Sequence, residues 1–297
     1  MTTTVTLRIG TRGSRLALAQ ARIAVEALAP TTGSAEVVSI STSGDAISAR
    51  QPHVGWVKAD GQFTRELERA LLEGRVDLVV HSYKDLPTAP VEGLAIGAVL
   101  ERADARDCLL TADGGTLDDL RFGARVGTSS PRRAAQLAAA RSDLIATPIR
   151  GNVETRLRRM QAGELDALIL AAAGLDRLGI ELPDHARLPF DLMLPAPAQG
   201  ALAIQVRSED GDLRAALATA DHVPTRVAVD AERALLRRIG GGCLAPLGAL
   251  GEVAGGTLRL RAAYEDRSGA YWRADASGPA HDADAVVTDV AERILAT

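Results

Sequence analysis

The sequence predicts an α/β protein with two similar doubly wound α/β domains and a small α+β domain after them. The chain has 297 residues, and at roughly 150 residues per domain this length suits two or three domains. Strand-like and helix-like segments alternate over its first two thirds, which is typical of parallel sheets covered by helices on both faces. A Pro-rich stretch over residues 183–197 then reads as a linker.

The composition is that of an ordinary globular protein, with 46% hydrophobic and 24% charged residues. The formal net charge of −4 and the aromatic content of 3% do not match the basic surface and stacking platforms of nucleic-acid binders. No apolar run reaches the roughly 20 residues of a membrane span. With two cysteines and no evident signal peptide, we expect a cytoplasmic protein that binds neither nucleic acid nor membrane.

The first round of elements contains four segments that are expected to be strands, of which residues 76–80 form an apolar run. They cover residues 5–9, 37–41, 76–80 and 94–100. Ser14 is placed to cap the helix after the first strand, and a second helix is expected over residues 63–72. Residues 43–61 are polar and contain glycine, which favours a long mobile loop. His81 ends a buried strand and is expected to be a core residue.

The second round repeats this order and leads into the smaller segment. Strands are expected over residues 125–127, 144–149, 167–170 and 201–206, and helices over residues 152–160 and 171–178. Another helix begins at Ser130–Pro131, a sequence suited to a helix start. A helix over 225–239 is predicted with Glu232 and Arg233 facing solvent. A strand pair over 257–264 and 270–276 precedes a closing helix over 285–295.

Basic and small residues follow the predicted strands. Ligands of open α/β sheets bind beyond the carboxyl ends of strands. The segments found there are 11–14, 82–85, 128–133 and 150–152. Arginine side chains and helix N-termini both bind anions, although any single arginine could equally be a solvated surface charge. An acidic chain with a cationic crevice predicts a small polyanionic ligand.

Asp85 and Cys243 each allow two interpretations. Asp85 is either a turn residue before Leu86 or a carboxylate that stabilises cations in the crevice. Cys243 follows three glycines and is either a small buried residue or a thiol presented on a flexible loop. Cys108 fits the buried interpretation better. The histidines show no metal-ligand spacing, so no metal is expected.

The ordered set of motifs resembles the porphobilinogen deaminase (hydroxymethylbilane synthase) family over nearly the whole chain. Each motif alone is weak, but their order is specific. They are TRGSRLALAQ (11–20), HSYKD (81–85), GTSSPRR (127–133), RGNV (150–153), LAAAGLDR (170–177), PAPAQG (195–200) and GGGC (240–243).

This resemblance implies a transferase of tetrapyrrole, and hence haem, biosynthesis. Such an enzyme condenses four porphobilinogens into 1-hydroxymethylbilane and releases ammonia at each step. It is primed by a dipyrromethane cofactor built from two porphobilinogens and held by a thioether. The resemblance implies Cys243 as the attachment site and Asp85 as the catalytic residue that stabilises azafulvene and pyrrolium cations. It also implies a monomer with porphobilinogen as its small-molecule partner.

The resemblance also implies two sets of binding residues and a division into domains with a type II periplasmic-binding-protein-like arrangement. The cofactor set, beside Cys243, is Lys84, Asp85, Thr128, Ser129, Ser130, Arg132, Arg133, Arg150 and Gly151. The substrate set is Arg12, Ser14, Arg150, Arg156, Arg177 and Gln199. The domains are residues 1–100 with 200–219, residues 105–195, and residues 222–297, which carry the cysteine loop.

The sequence departs from the family pattern at the loop before residue 66. Asp60 stands where the family often has lysine, with Lys58 nearby, and Arg65 replaces a second lysine with its charge kept. Two other classes share parts of the pattern. A two-lobed solute-binding protein explains the arginines but not Asp85 or the Cys243 loop, and a ligand-sensing regulator lacks a DNA-binding helix pair here.

Overall fold

The computed structural model describes residues 6–42, 64–240, 242 and 244–295. The predicted loop over residues 43–61, with Lys58 and Asp60, and the side chain of Cys243 lie outside the described residues. Twelve strands form three sheets in the described part. They are β1 Leu7–Arg12, β2 Ala35–Ile40, β3 Leu78–Ser82, β4 Leu94–Val99, β5 Asp107–Thr111, β6 Arg125–Gly127, β7 Ile145–Thr147, β8 Ala167–Ala171, β9 Leu202–Arg207, β10 Leu247–Ala254, β11 Thr257–Glu265 and β12 Tyr271–Pro279.

The helices of the described chain connect these strands and cover the sheets. The α-helices are α1 Arg15–Thr32, α2 Arg65–Leu72, α3 Pro131–Ala140, α4 Val153–Gln161, α5 Ala172–Arg177, α6 Gly211–Leu217, α7 Val223–Arg238 and α8 Ala283–Leu295. Short 3₁₀ turns are Tyr83–Asp85, Asp184–Ala186, Ala218–Ala220 and Ala280–Asp282. Within the described residues, no helix has both the length and the apolarity that a bilayer crossing requires.

The first sheet has the strand order β2-β1-β3-β9-β4. Its strand β3 shows why the sheet is buried on both faces. Leu78 and Val80 pack into one hydrophobic cluster with α1, and Val79 packs into another with α2. Successive side chains of a strand point to opposite faces, so an unbroken apolar run requires cover on both.

The second sheet, β5-β8-β6-β7, follows the same rule. In β8, Leu168 and Leu170 enter one cluster while Ile169 enters the other. The third sheet, β10-β11-β12, is antiparallel, and its residues Leu258 and Leu260 pack against α7 and α8. The fold class predicted from the sequence is therefore confirmed: two α/β sheets with helices on both faces and a smaller α+β unit.

The prediction that these sheets are parallel is wrong in part. Strand β9 runs antiparallel to β3 and β4, and β5 runs antiparallel to β8. Strand β9 reaches the first sheet only after the chain has formed the second one, and it enters from the opposite end. The Pro-rich stretch over residues 183–197 contains the 3₁₀ turn at Asp184–Ala186, and its residues Met193 and Leu194 are buried.

The prediction that Glu232 and Arg233 face solvent is wrong. Both side chains are buried, Glu232 completely. Helix α7 packs against the third sheet on one side and against the segment after β3 on the other, so two of its faces are covered. Arg233 donates to the backbone oxygens of Tyr83, Leu86 and Pro87.

Glu232 connects three separate parts of the chain. Its carboxylate accepts a two-pronged hydrogen bond from Arg102, at 2.6 and 3.1 Å, in the segment between β4 and β5. It also accepts from the backbone N–H of Ala198, at 2.6 Å, and of Gly251 in β10, at 2.7 Å. A buried carboxylate is stable only when its lone pairs are satisfied in this way.

We predict that Glu232→Gln lowers the free energy of unfolding by about 3–5 kcal/mol, because it leaves the Arg102 guanidinium without its countercharge. Urea unfolding of both proteins measures this loss. Glu292→Gln, at an exposed position of α8, is the matched control and should change stability by less than about 0.5 kcal/mol. Equal effects of the two substitutions would contradict the role assigned to Glu232.

Candidate functional site

A cleft of about 790 Å³ lies between the first two sheets, at the ends of several strands. The site residues predicted from the sequence that line it are Arg12, Ser14, Lys84, Asp85, Arg133, Gly151, Arg156 and Arg177. Arg12, Lys84 and Arg133 come from segments that follow β1, β3 and β6, so the two sheets set the position of the cleft. Strand-end residues from separate parts of the chain are thus brought together, as the sequence predicted.

The first sheet supplies Arg12 at the end of β1 and Ser14 just after it. The Ser14 hydroxyl accepts from the backbone N–H of Ala17, at 3.2 Å, and so caps α1. Lys84 and Asp85 stand on the 3₁₀ turn that follows β3. Lys84 is half-buried and Asp85 is exposed. This side of the cleft therefore presents cations around one exposed carboxylate.

Three predicted hydroxyl residues shape the start of α3 and are absent from the cleft lining. Thr128 is fully buried and accepts from the backbone N–H of Ser130. The Ser129 hydroxyl donates to the backbone oxygen of Ile149, at 2.7 Å. The Ser130 hydroxyl caps α3 by accepting from the N–H of Arg133, at 3.4 Å. These contacts fix the loop from which Arg133 reaches the cleft.

The segment after β7 supplies Arg150, Gly151 and Arg156. Gly151 has a φ of 109°, a conformation that side-chain-bearing residues rarely adopt. A Cβ there would lie 2.9 Å from Thr155. The backbone oxygen of Gly151 accepts from Arg156 Nε at 2.9 Å, so this turn also aims the Arg156 side chain. Arg150 is half-buried beside them and is not part of the cleft lining among described residues.

Asp107 organises the arginines behind the cleft. Its carboxylate is fully buried and accepts from Arg132 Nη1 and Arg133 Nη2, each at 2.7 Å. Burial alone would raise the pKa of Asp107, but the two guanidiniums outweigh it and the pKa is lowered. Arg132 also donates to the backbone oxygen of Leu194 and is buried away from the cleft. Arg133 remains at the cleft wall.

Gln199 links this carboxylate to the lysine of the cleft. Its amide nitrogen donates to Asp107 at 2.9 Å and to the backbone oxygen of Ala105 at 2.8 Å. These bonds orient its oxygen, which accepts from Lys84 Nζ at 3.1 Å. Gln199 is fully buried and thus acts on the cleft through Lys84.

Three cations of the cleft donate hydrogen bonds to neutral oxygens and have no ion-pair partner within the described part of the chain. Lys84 donates to Gln199, Arg156 to Gly151 and Arg177 to the backbone oxygen of Gly200, at 2.7 Å. Burial lowers the pKa of Lys84 to about 8 and of Arg177 to about 10. Burial, followed by repulsion from Arg133 and Arg150, lowers that of Arg156 to about 10. The described residues thus hold positive charge that favours an anionic ligand.

The sequence did not single out Asp107, although it lies one residue before Cys108. The available signal was its place directly after Arg106 in a short apolar segment, where a buried carboxylate requires a cationic partner. Gln20 and Ser82 also line the cleft and share a hydrogen bond of 2.7 Å. The predictions for His81 and Cys108 are confirmed, since both are buried and His81 bonds Gln205.

No group of His, Cys, Asp or Glu suited to a metal ion occurs among the described residues.

Comparisons with solved structures find likenesses at low identity. The periplasmic VFT2 domain of BvgS from Bordetella pertussis is 12% identical with a TM-score of 0.42, covering 72% of this chain and 86% of that one. The aliphatic sulphonate binding protein SsuA from Escherichia coli is 16% identical with a TM-score of 0.40, covering 79% and 70%.

Protein-family models and curated relatives give a closer match. A model described as porphobilinogen deaminase, dipyrromethane cofactor binding domain, matches residues 7–215, and one described as the C-terminal domain matches residues 227–296. Porphobilinogen deaminase of Desulforudis audaxviator is 47% identical, covering 97% of this chain and 93% of the relative. That of Thermobifida fusca is 51% identical, covering 88% and 81%. The chain matches the models of both domains of this family and is nearly half identical to its members over most of its length. It therefore belongs to the porphobilinogen deaminase family.

Proposed function

We propose that this protein is a hydroxymethylbilane synthase, which joins four porphobilinogens head to tail and releases ammonia at each addition. The cleft's positive charge carries the proposal. Each porphobilinogen has an acetate and a propionate, so a growing chain of pyrroles accumulates carboxylates. Lys84, Arg156 and Arg177 are cations without an ion-pair partner among the described residues, and they match such a ligand.

The residues of the cleft also fit the dipyrromethane cofactor of the family. A dipyrromethane built from two porphobilinogens has four carboxylates, and the depressed pKa values of the cleft cations are those expected where anions bind. We infer that Lys84, Arg133, Arg150 and Arg156 bind these carboxylates, with Cys243 as the thioether attachment. When bound, the cofactor supplies the pyrrole carbon to which the first substrate is joined.

Asp85 is the proposed catalytic residue. It is the exposed carboxylate beside Lys84 on the turn after β3. As ammonia leaves porphobilinogen, positive charge develops on the substrate's pyrrole, and a carboxylate held in the cleft stabilises that charge. The surrounding cations bind the substrate's acetate and propionate. Arg12, Ser14 and Arg177 are proposed for this role, with Gln199 acting through Lys84.

Three further properties belong to this proposal. We infer that the enzyme binds no nucleic acid, because its net charge of −4 and aromatic content of 3% do not match those of nucleic-acid binders. We also infer that it is a cytoplasmic monomer that binds no membrane. We infer domains of residues 1–100 with 200–219, 105–195 and 222–297. The return of β9 to the first sheet supports the first of these, and light scattering of the purified protein would test the monomer.

We predict that the intact protein is heavier than its sequence by two porphobilinogen-derived units and that Cys243→Ser removes this mass. A thioether requires the sulfur of Cys243, whereas Cys108 is buried in the second domain's core. Intact-mass spectrometry of the protein and both variants measures the difference. The matched control, Cys108→Ser, should keep the added mass. If Cys243→Ser also keeps it, the attachment site is wrong.

We predict that Asp85→Asn lowers kcat by about a hundredfold or more, because it removes the negative charge that stabilises the developing cation. The fold and the covalent cofactor should remain, and intact mass with circular dichroism checks both. Asp118→Asn, at an exposed loop position, serves as the control and should keep its activity. Near-normal turnover by Asp85→Asn would refute the catalytic role.

We predict that Cys243→Ser, which lacks the attached carboxylates of the cofactor, loses affinity for anions as the pH rises. Without those carboxylates, no attached anion offsets the lowered pKa of Lys84. Burial lowers that pKa to about 8, so Lys84 loses its charge as the pH rises from 7 to 9. Calorimetric titration with succinate should show affinity falling by about threefold to tenfold. Adding Lys84→Arg should flatten the profile, because a guanidinium stays charged. Parallel profiles would show that Lys84 does not bind the anion.

A further inference from the structure

A second cavity, of about 570 Å³, lies on the reverse side of the turn that carries Lys84 and Asp85. Helix α2, strands β4 and β9, helix α7 and the segment after β3 enclose it. Its size falls in the range of small-molecule sites. Leu86, Pro87 and Ile96 are among its apolar lining residues. Nothing in the proposed reaction uses this cavity.

Glu68 supplies a buried carboxyl group to this cavity. The residue is 7% exposed, and within the described part of the chain its Oε1 has no hydrogen-bond partner. Burial raises the pKa of Glu68, and the neighbouring side chains of Gln205 and Thr64 only partly oppose this rise. An unpartnered buried carboxyl oxygen costs free energy that a ligand with a donor group would recover.

The other charged groups of the cavity differ in whether they already form hydrogen bonds within the protein. Arg233 is occupied, since it donates to three backbone oxygens and lies 4.4 Å from the centre of the Tyr83 ring. Asp230 accepts from the Tyr83 hydroxyl at 3.0 Å and is exposed at the rim. Arg237 is exposed two turns further along α7. Glu68 and Asp230 are thus the acidic groups of the cavity lining, and Arg237 is the exposed basic group at its rim.

We propose that this cavity binds a small organic ammonium ion with an apolar body. The ammonium group would donate to Glu68 Oε1 and lie near Asp230, while the body packs against Leu86 and Ile96. This assignment goes beyond the proposed function, and it names a ligand of opposite charge to the polyanion of the cleft.

The two cavities share one turn. Tyr83 and Leu86 line the second cavity, whereas Lys84 and Asp85, between them in sequence, line the cleft. Arg233 holds the same turn through its bonds to Tyr83 and Leu86. A ligand that presses on Tyr83 or Leu86 therefore acts on the backbone that places Asp85, so occupancy changes kcat without competing for substrate.

The first test is calorimetric titration of the holoenzyme with 2-phenylethylamine and, as a neutral match, 2-phenylethanol. We expect the amine to bind about tenfold more tightly than the alcohol. Glu68→Gln should weaken amine binding by about tenfold, while Glu73→Gln, an exposed position at the end of α2, should leave it unchanged. Equal binding of both probes, or of the enzyme and Glu68→Gln, would overturn the site.

Two variants at the rim, Asp230→Asn and Arg237→Gln, test the site if Glu68→Gln fails to fold. Both side chains are exposed, so neither substitution is expected to disturb folding. Asp230→Asn should weaken amine binding by about twofold to fivefold, and Arg237→Gln should strengthen it by about twofold, since each removes one charge of known sign. Shifts of the opposite sign, or no shift in either, would overturn the charge assignment.

The coupling is tested by steady-state kinetics with the amine present. We expect kcat to change by at least about twofold, with the KM for porphobilinogen unchanged. Competition with porphobilinogen would place the probe in the cleft and overturn the second site, and calorimetric binding without any change in kcat would overturn the coupling. Because the calorimetry needs no turnover, failure of the proposed enzyme activity would not be mistaken for failure of this site.

Discussion

The Asp107 carboxylate is the contact on which the charged cleft depends. It lies fully buried between Arg132 and Arg133 and accepts a further bond from Gln199. Without it, two adjacent guanidiniums would repel each other inside the protein, at a cost far above that of one surface ion pair. With it, the buried Arg132 has a countercharge, while Arg133 still reaches the cleft. The orientation of Gln199, and through it that of Lys84 Nζ, follows from the same carboxylate.

This arrangement separates two kinds of arginine that look alike in the sequence. Arg132 and Arg133 are neighbours, yet Arg132 is buried away from the cleft and Arg133 lines it. Arg156 and Arg177 donate hydrogen bonds to backbone oxygens. Burial lowers the pKa of both arginines, and a bound anion would offset that electrostatic cost. A chain with a net charge of −4 thus concentrates positive charge in one cleft.

Elements with strong periodicity were predictable from the sequence, and those with mixed signals were not. The apolar run that forms β3 and the Ser130–Pro131 start of α3 both match the structure. Strand β5 begins with the charged Asp107 and strand β10 is interrupted by glycine, so neither has the pattern of a strand. The burial of Glu232 was unpredictable because its partners, Arg102 and Gly251, are distant in the chain. The strand-end rule placed Arg12, Lys84 and Arg133 in one cleft, but it could not show that Arg132 turns inward, since that depends on Asp107.

The turn after β3 shows how one short segment can serve two sites. A 3₁₀ turn directs successive side chains to different sides, so Lys84 and Asp85 meet the cleft while Tyr83 and Leu86 meet the reverse face. Its backbone oxygens are held by Arg233 of α7, a helix that also carries Glu232 and packs against the third sheet. The position of Asp85 is thus set by the smallest domain as much as by its own sheet. Helix α7 contacts this turn through the Arg233 guanidinium and through Asp230, which accepts from the Tyr83 hydroxyl. A change in the packing of α7 therefore reaches the backbone that carries Asp85.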